Sequence, residues 1–169
     1  MALTAKGPFS ISWRGNTITD VEDVDLSYDV DSEDYNTVDG RAYTLYGAHK
    51  VTVTFTLLGA DVAALAVVLP QYHVNNGGVL STGETVNDAD GAIDLVPGGC
   101  TKPVTYGPLD ITSCGNPGKT LRIVNARSEI DGIEFDDKIR KVSVVFTGEA
   151  PSGDAVVQLF EQGSINVIS

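Results

Sequence analysis

Val21-Glu-Asp-Val-Asp-Leu-Ser-Tyr-Asp-Val-Asp31 is the stretch around which the rest of the chain is organised. Its even positions from 24 to 30 are Val24, Leu26, Tyr28 and Val30. The odd neighbours are Asp23, Asp25, Ser27, Asp29 and Asp31. A strand sends alternate side chains to opposite faces, so one face is apolar and the other is a ladder of carboxylates. A polar stretch, residues 32–40, reads as a loop. The chain then returns through residues 41–46 into Lys50-Val-Thr-Val-Thr-Phe-Thr-Leu-Leu58. Here Val51, Val53, Phe55 and Leu57 share one face, and Thr52, Thr54 and Thr56 the other. The expectation is a long antiparallel hairpin with a buried side and a polar, negative side. A bulge near Gly47 would swap the parity of residues 41–46 relative to 50–58.

Composition agrees with a β-rich fold. The 169 residues are 42% hydrophobic, enough for a sizeable core, and include 18 glycines. Val and Thr are frequent and helix-favouring runs are scarce. The chain is read as one domain spanning residues 1–169. Net charge is −12, from 11 basic and 23 acidic residues. Nine of the acids lie between Asp20 and Asp39, a segment without Lys or Arg, and the remainder of the chain is near −3. The acidity therefore belongs to one element. Affinity for nucleic acid normally rests on Lys and Arg, so tight DNA or RNA binding is not expected.

Before the hairpin, Phe9-Ser-Ile-Ser-Trp13 alternates as a first strand, Arg14-Gly-Asn-Thr is turn chemistry, and Ile18 resumes pairing. Residues 1–8 read as a loose arm. After it, residues 60–69 read as one short helix, with Asp61 at its start and Pro70 ending it. Residues 71–119 form a loop-rich insertion holding the short apolar pieces 79–80, 92–96 and 109–111. Strands are expected at 120–126, at 138–147 with Val142, Val144 and Phe146 inward, and at 155–160. Residues 130–135 read as a turn and a short strand, and residues 163–169 as a second arm. The opening residues lack a signal-peptide core, and residues 62–69 are too short an apolar run to cross a bilayer. A cytosol-like compartment is expected, with Cys100 and Cys114 as free thiols.

Motifs for chemistry do not assemble. In the segment 29–40, Asp29, Asp31 and Glu33 take calcium-loop positions one, three and five. Asp34 stands where the loop needs Gly, and Gly40 where it needs a bidentate Glu. Asn87-Asp-Ala-Asp-Gly91 is an equally weak fragment. His49 and His73 lack a nucleophile context, and the glycine pairs lack the Lys-Ser/Thr of a phosphate loop. No metal, cofactor or catalytic set is expected, and the chain is read as not an enzyme.

The order of parts, a first strand, a very long hairpin, a short Ala-rich helix ending in Leu-Pro and two strong late strands, resembles the tail tube proteins of long-tailed bacteriophages. It is more distantly similar to the tubes of contractile tails and type VI secretion. That resemblance implies a mainly β subunit, a β-sandwich or barrel with one short helix and a long extended hairpin. Six copies would form a ring, and rings would stack into a tube in the virion tail, assembled in the host cytoplasm. Asp23, Asp25, Ser27, Asp29, Asp31, Thr52, Thr54 and Thr56 would line the lumen, through which DNA passes without tight binding. Residues 32–40, with Ser32, Glu33, Asp34, Tyr35, Asn36 and Asp39, would be the loop that stacks on the next ring, with the arms alongside. Val24, Leu26, Tyr28, Val51, Val53 and Phe55 would pack under the helix. Implied partners are further copies of the chain and the tail tip or baseplate, tape measure and tail terminator proteins, with no membrane insertion. The alternative is an acidic β-sandwich module on a virion or cell surface that binds calcium or carbohydrate.

Overall fold

The period-two segments fold as strands because that spacing lets each bury one face. The structure, a computed structural model, describes residues 2–4, 9–97, 104–114, 119–149 and 155–161. For residues 2–4, 31–33, 35 and 43–48 only the backbone is described. Eleven strands are present among these residues: β1 (Ala2–Thr4), β2 (Phe9–Trp13), β3 (Asn16–Ile18), β4 (Val21–Asn36), β5 (Ala42–Leu58), β6 (His73–Val74), β7 (Ala92–Ile93), β8 (Tyr106–Ser113), β9 (Lys119–Phe135), β10 (Arg140–Gly148) and β11 (Val157–Glu161). One helix, α1 (Val62–Val68), follows β5 and runs into a 3₁₀ turn, Pro70–Tyr72. The chain is therefore mainly β with a single short helix, as the alternation predicts.

Nine strands form one antiparallel sheet in the order β1-β4-β5-β10-β9-β8-β2-β3, with β11 also paired to β9. The sheet curls without closing into a barrel, since β1 and β3 remain at opposite ends of the order. The curl brings β2 over β10. Trp13 meets the Phe146 ring edge-on with centroids 5.1 Å apart, and Phe146 stacks on Phe55 at 5.5 Å. All three side chains are fully buried, and the Trp13 indole N–H donates to the Ala126 carbonyl at 3.3 Å. Around them lie Val51, Val53, Leu57, Ile11, Leu109, Ile123, Val142 and Val144.

The β2–β3 hairpin turns at Arg14 and Gly15, both with positive φ, the pairing of signs that a tight two-residue hairpin turn requires. In α1, Asp61 is the N-cap and its carboxylate accepts from the Ala64 amide at 2.8 Å. The helix lies chiefly against Asn16–Ile18 and Ala92–Ile93. Its C-terminal end is tied to β9, where the buried Ser128 hydroxyl donates to the Val68 carbonyl at 2.6 Å.

Four expectations change. The N-terminal arm includes an edge strand, because β1 pairs with Asp25–Ser27 of β4; residues 1 and 5–8 lie outside the described residues. Residues 32–36 are strand, so the hairpin loop shrinks to its tip at residues 37–41. The insertion is shorter than 71–119: β8 is a full strand of the main sheet between β9 and β2, with Leu109 and Ile111 in the core. The remainder is held by β6–β7 and a Val79–Thr85 bridge. Residues 130–135 are no turn: β9 runs straight through them, absorbing Asp131 as a bulge against Ser143 and Val144 of β10. The strand expected at 155–160 is β11, which continues on the same edge of β9 that β10 occupies further along. The second arm, 163–169, and Cys100 lie outside the described residues; Cys114 is an exposed free thiol.

Candidate assembly surface

The β4–β5 hairpin has 16 and 17 residues in its two strands. Its register decides which side chains share the polar face. Asp25 pairs with Thr54, Ser27 with Thr52 and Asp29 with Lys50. The next strand extends the same face, because Thr56, Thr54 and Thr52 oppose Ser143, Val145 and Thr147 of β10. The Thr56 and Ser143 hydroxyls are 3.0 Å apart, and the Ser27 hydroxyl donates to Asp29 at 3.4 Å. The surface is therefore a lane of carboxylates on β4 beside two lanes rich in hydroxyls. On the reverse face, Leu26 pairs with Val53 and Tyr28 with Val51, and Val51, Val53 and Phe55 are fully buried.

Two bulges alter the predicted set. Between Glu22 and Asp25 the register slips, leaving Asp23 and Val24 opposite Phe55 alone. Asp23 has φ of 53°, the left-handed conformation that a bulge can demand and that Asp tolerates better than most residues. Asp23 is thus displaced from the regular alternation, and Glu22, opposite Thr56, takes the rung at this end of the polar face. Lys141 reaches Glu22 at 3.2 Å. The Glu22 carboxylate beside it, through the hydrogen bond first and its charge second, holds the Lys141 ammonium above its ordinary pKa. A second slip, between Val30 and Ser32, places an extra residue in β5 beside Gly47. The parity of residues 42–46 is consequently swapped relative to 50–58, the shift that the sequence reading places at this glycine.

The other predicted residues divide as follows. Asp25, Ser27 and Asp29 lie on the polar face with Thr52, Thr54 and Thr56. The side chain of Asp31 is outside the described residues. Ser32, Glu33, Asp34, Tyr35 and Asn36 are paired strand residues opposite residues 46–42, and only Asp39 sits at the loop tip. There the Thr37 hydroxyl donates to Asp39, the Thr37 amide to the Arg41 carbonyl at 2.8 Å, and Gly40 supplies a φ of 83°. Val24 and Tyr28 are half-buried at the margin of the core rather than beneath the helix, whose main neighbours are β3 and β7. The Tyr28 hydroxyl meets Nδ1 of His49, which pairs across the hairpin from Val30. Glu22, Lys141, Ser143 and Thr147 were missed. Glu22 had a readable signal: Val21 and Val24 are both apolar and three apart, a spacing that a strand can place on one face only through a bulge. The β10 residues had none, since strand neighbours distant in sequence are not written in either strand.

The calcium-loop segment fails on geometry, because residues 29–36 are extended strand. Among the described residues, no three His, Cys, Asp or Glu side chains come together as a metal site would need. β1 covers the β4 edge at Asp25–Ser27; beyond Ser27, β4 is the outermost strand of the sheet among the described residues, so only the Asp29 end of the acidic lane lies at a sheet edge.

No protein-family model matches the chain, and no curated protein matches it in sequence. Solved structures do. The tube-terminating cap of the anti-feeding prophage aligns over 95% of both chains at 14% identity with a TM-score of 0.53. The sheath/tube terminator of an extracellular contractile injection system, PVC, in its extended state aligns over 89% of this chain and 91% of its own, at 15% identity and a TM-score of 0.46. A chain of the PVC sheath–tube complex covers 92% of both at 13% identity and 0.48. Only the first of these likenesses is close enough to carry an argument, and at 14% identity it concerns the fold: along nearly its whole length, this chain has a fold similar to that of a tube-terminating cap.

Proposed function

We propose that the chain is a non-catalytic structural subunit of a phage-type tail or injection tube. Copies join edge to edge into a ring, six to a ring by the resemblance read from the sequence, and the ring either stacks into the shaft or closes its end. The observation that carries this reading is the acidic lane on β4, a strand whose edge is uncovered beyond Ser27 among the described residues, flanked by hydroxyl-rich lanes on β5 and β10. A sheet edge of this length invites another strand, and ring closure removes it. A head-to-tail contact of this kind closes when its rotation allows. With the polar face turned inward, Glu22, Asp25 and Asp29 from every copy would line the bore. Carboxylates repel phosphate, so DNA would slide through without being held. The likeness to a cap supports an end-of-tube position, and the tip of the hairpin at residues 37–41 would touch the next ring.

Negative-stain microscopy and sedimentation of the purified chain test the proposal across salt concentrations. Stacked tubes mark a shaft subunit, and single rings a terminal one. A chain that stays monomeric at high concentration in every salt overturns the reading.

A further inference from the structure

The core side of β9 runs past the core at both ends. At its start, Leu121 pairs with Leu159 of β11, which is 76% exposed, although Ile123 one pair away is completely buried. At its far end, Ile133 pairs with the buried Val142, and paired side chains lie on the same face of a sheet. Yet Ile133 is 53% exposed and Phe135, two residues on, is 77% exposed. The two ends differ in shape. Around Leu121 and Leu159 the curled sheet leaves an apolar groove of about 520 Å³, walled also by Phe9, Ile111 and, from β4, Leu26, with Lys119 and Glu161 among its lining. At the other end the β9–β10 hairpin presents Ile133 and Phe135 as an apolar knob.

β9 is 17 residues long, so groove and knob lie roughly 50 Å apart along one strand. Phe135 is out of reach of the groove of its own subunit, but a second copy can offer its knob there. A knob at one end and a hole at the other make a heterologous pair, which repeats from copy to copy along an axis. The groove also opens on the side toward which the long hairpin extends. β5 from Leu58 to Val51 runs beside β10 from Lys141 to Gly148, and β10 runs beside β9 from Glu134 to Ala126. Lower numbers on β5 and on β9 therefore lead to the same end, that of residues 37–41. Charge favours the groove over the acidic lane as the landing place. Residues 131–138 hold four acids and one lysine, a net −3, and the groove sets Lys119 against Glu161 and is neutral.

We infer that Ile133 and Phe135 of one copy seat in the groove of the next, against Leu121 and Leu159. This inference rests on the tube reading and names the axial contact by which its rings stack. A single knob covers far less than the roughly 1,200 Å² of a stable interface, and repetition around a ring supplies the rest.

Negative-stain microscopy and sedimentation of the full chain provide the test. The parent should form stacked rings. Phe135→Asp and Leu159→Asp should each leave single rings and raise the protein concentration needed for stacking by at least about tenfold. Both side chains are mostly exposed, so both variants should fold, as far-UV circular dichroism checks; Phe135→Ser and Leu159→Ser replace either one that does not. Rings of the two Asp variants, mixed, should pair and stop at two, because one intact knob meets one intact groove. Parent rings that do not stack, variants that stack like the parent, or a mixture that does not pair overturn the contact and leave the ring intact as a reading. A parent that forms no rings at any concentration overturns the tube reading, and the contact with it.

Discussion

Replacing Trp13 with alanine removes the side chain that holds the curl of the sheet. Trp13 lies on β2, three places from β10 in the strand order, yet its ring edge meets Phe146 at 5.1 Å. Truncating a fully buried aromatic side chain costs about 3–5 kcal/mol when the cavity cannot collapse. The edge-on pair accounts for about 0.5–1.5 kcal/mol and the indole bond to Ala126 for about 1 kcal/mol of what is lost. The expected total is about 4–5 kcal/mol, a large part of the 5–15 kcal/mol of an ordinary domain. Trp13→Phe keeps an aromatic edge and loses the second ring and the N–H, so about 2 kcal/mol is expected. Urea unfolding followed by far-UV circular dichroism reads both, since Trp13 is the chain's single tryptophan and fluorescence is lost with it. With a slope of about 2 kcal/mol/M, the midpoint should fall by about 2 M for alanine and 1 M for phenylalanine. A cost below about 1.5 kcal/mol for Trp13→Ala would refute the argument that this contact pins β2 across the curl onto β10.

Gly148→Ala should destabilise by about 1–3 kcal/mol in the same assay, because its Cβ would come within 2.3 Å of Val51 and 2.6 Å of Ile123 on the two flanking strands. Tyr72 donates a 2.5 Å hydrogen bond to Glu129, and burial first, then that bond, push its pKa from 10.0 to about 12. The folded chain keeps this proton longer than the unfolded one, so stability present below pH 10 is lost as pH rises through 12. The loss is at most about 2.7 kcal/mol, and Tyr72→Phe should flatten the pH dependence in that window. Asp61→Ala should cost about 1 kcal/mol by removing the cap of α1, measured as a shift in thermal midpoint. Under the proposed tube role, the triple change Glu22→Gln, Asp25→Asn and Asp29→Asn should let rings form at lower salt than the parent, as screening is no longer needed. Sedimentation showing an unchanged salt requirement would detach the acidic lane from assembly.

Glu22 and Asp23 show where reading from the chain alone reaches its limit. Alternation assigns Asp23 to the carboxylate ladder, and from Asp25 to Asp29 that assignment holds. At residues 22–24 a bulge intervenes, and the two acids exchange parts. The same reasoning marked Gly47 as a place where a bulge would swap the parity, and the second bulge lies beside it. Residues 32–36 show the opposite error. Their polar composition reads as loop, but they pair through the backbone with residues 42–46 and continue β4 as strand.

The sequence by itself determined the strand character, the sidedness of the long hairpin, the capped helix from Asp61 to Pro70 and the concentration of charge in one element. These depend on neighbours two to four residues apart, within reach of periodicity and turn chemistry. Only the tertiary structure decided that β8 belongs to the main sheet, that β9 continues through Gly132, and that Ser143 and Lys141 join the acidic face. The curl that buries Trp13 against Phe146, and the open groove beside Leu159, were likewise beyond the sequence. Each of these follows from pairing between segments tens of residues apart, where many registers satisfy the same local pattern and packing selects one.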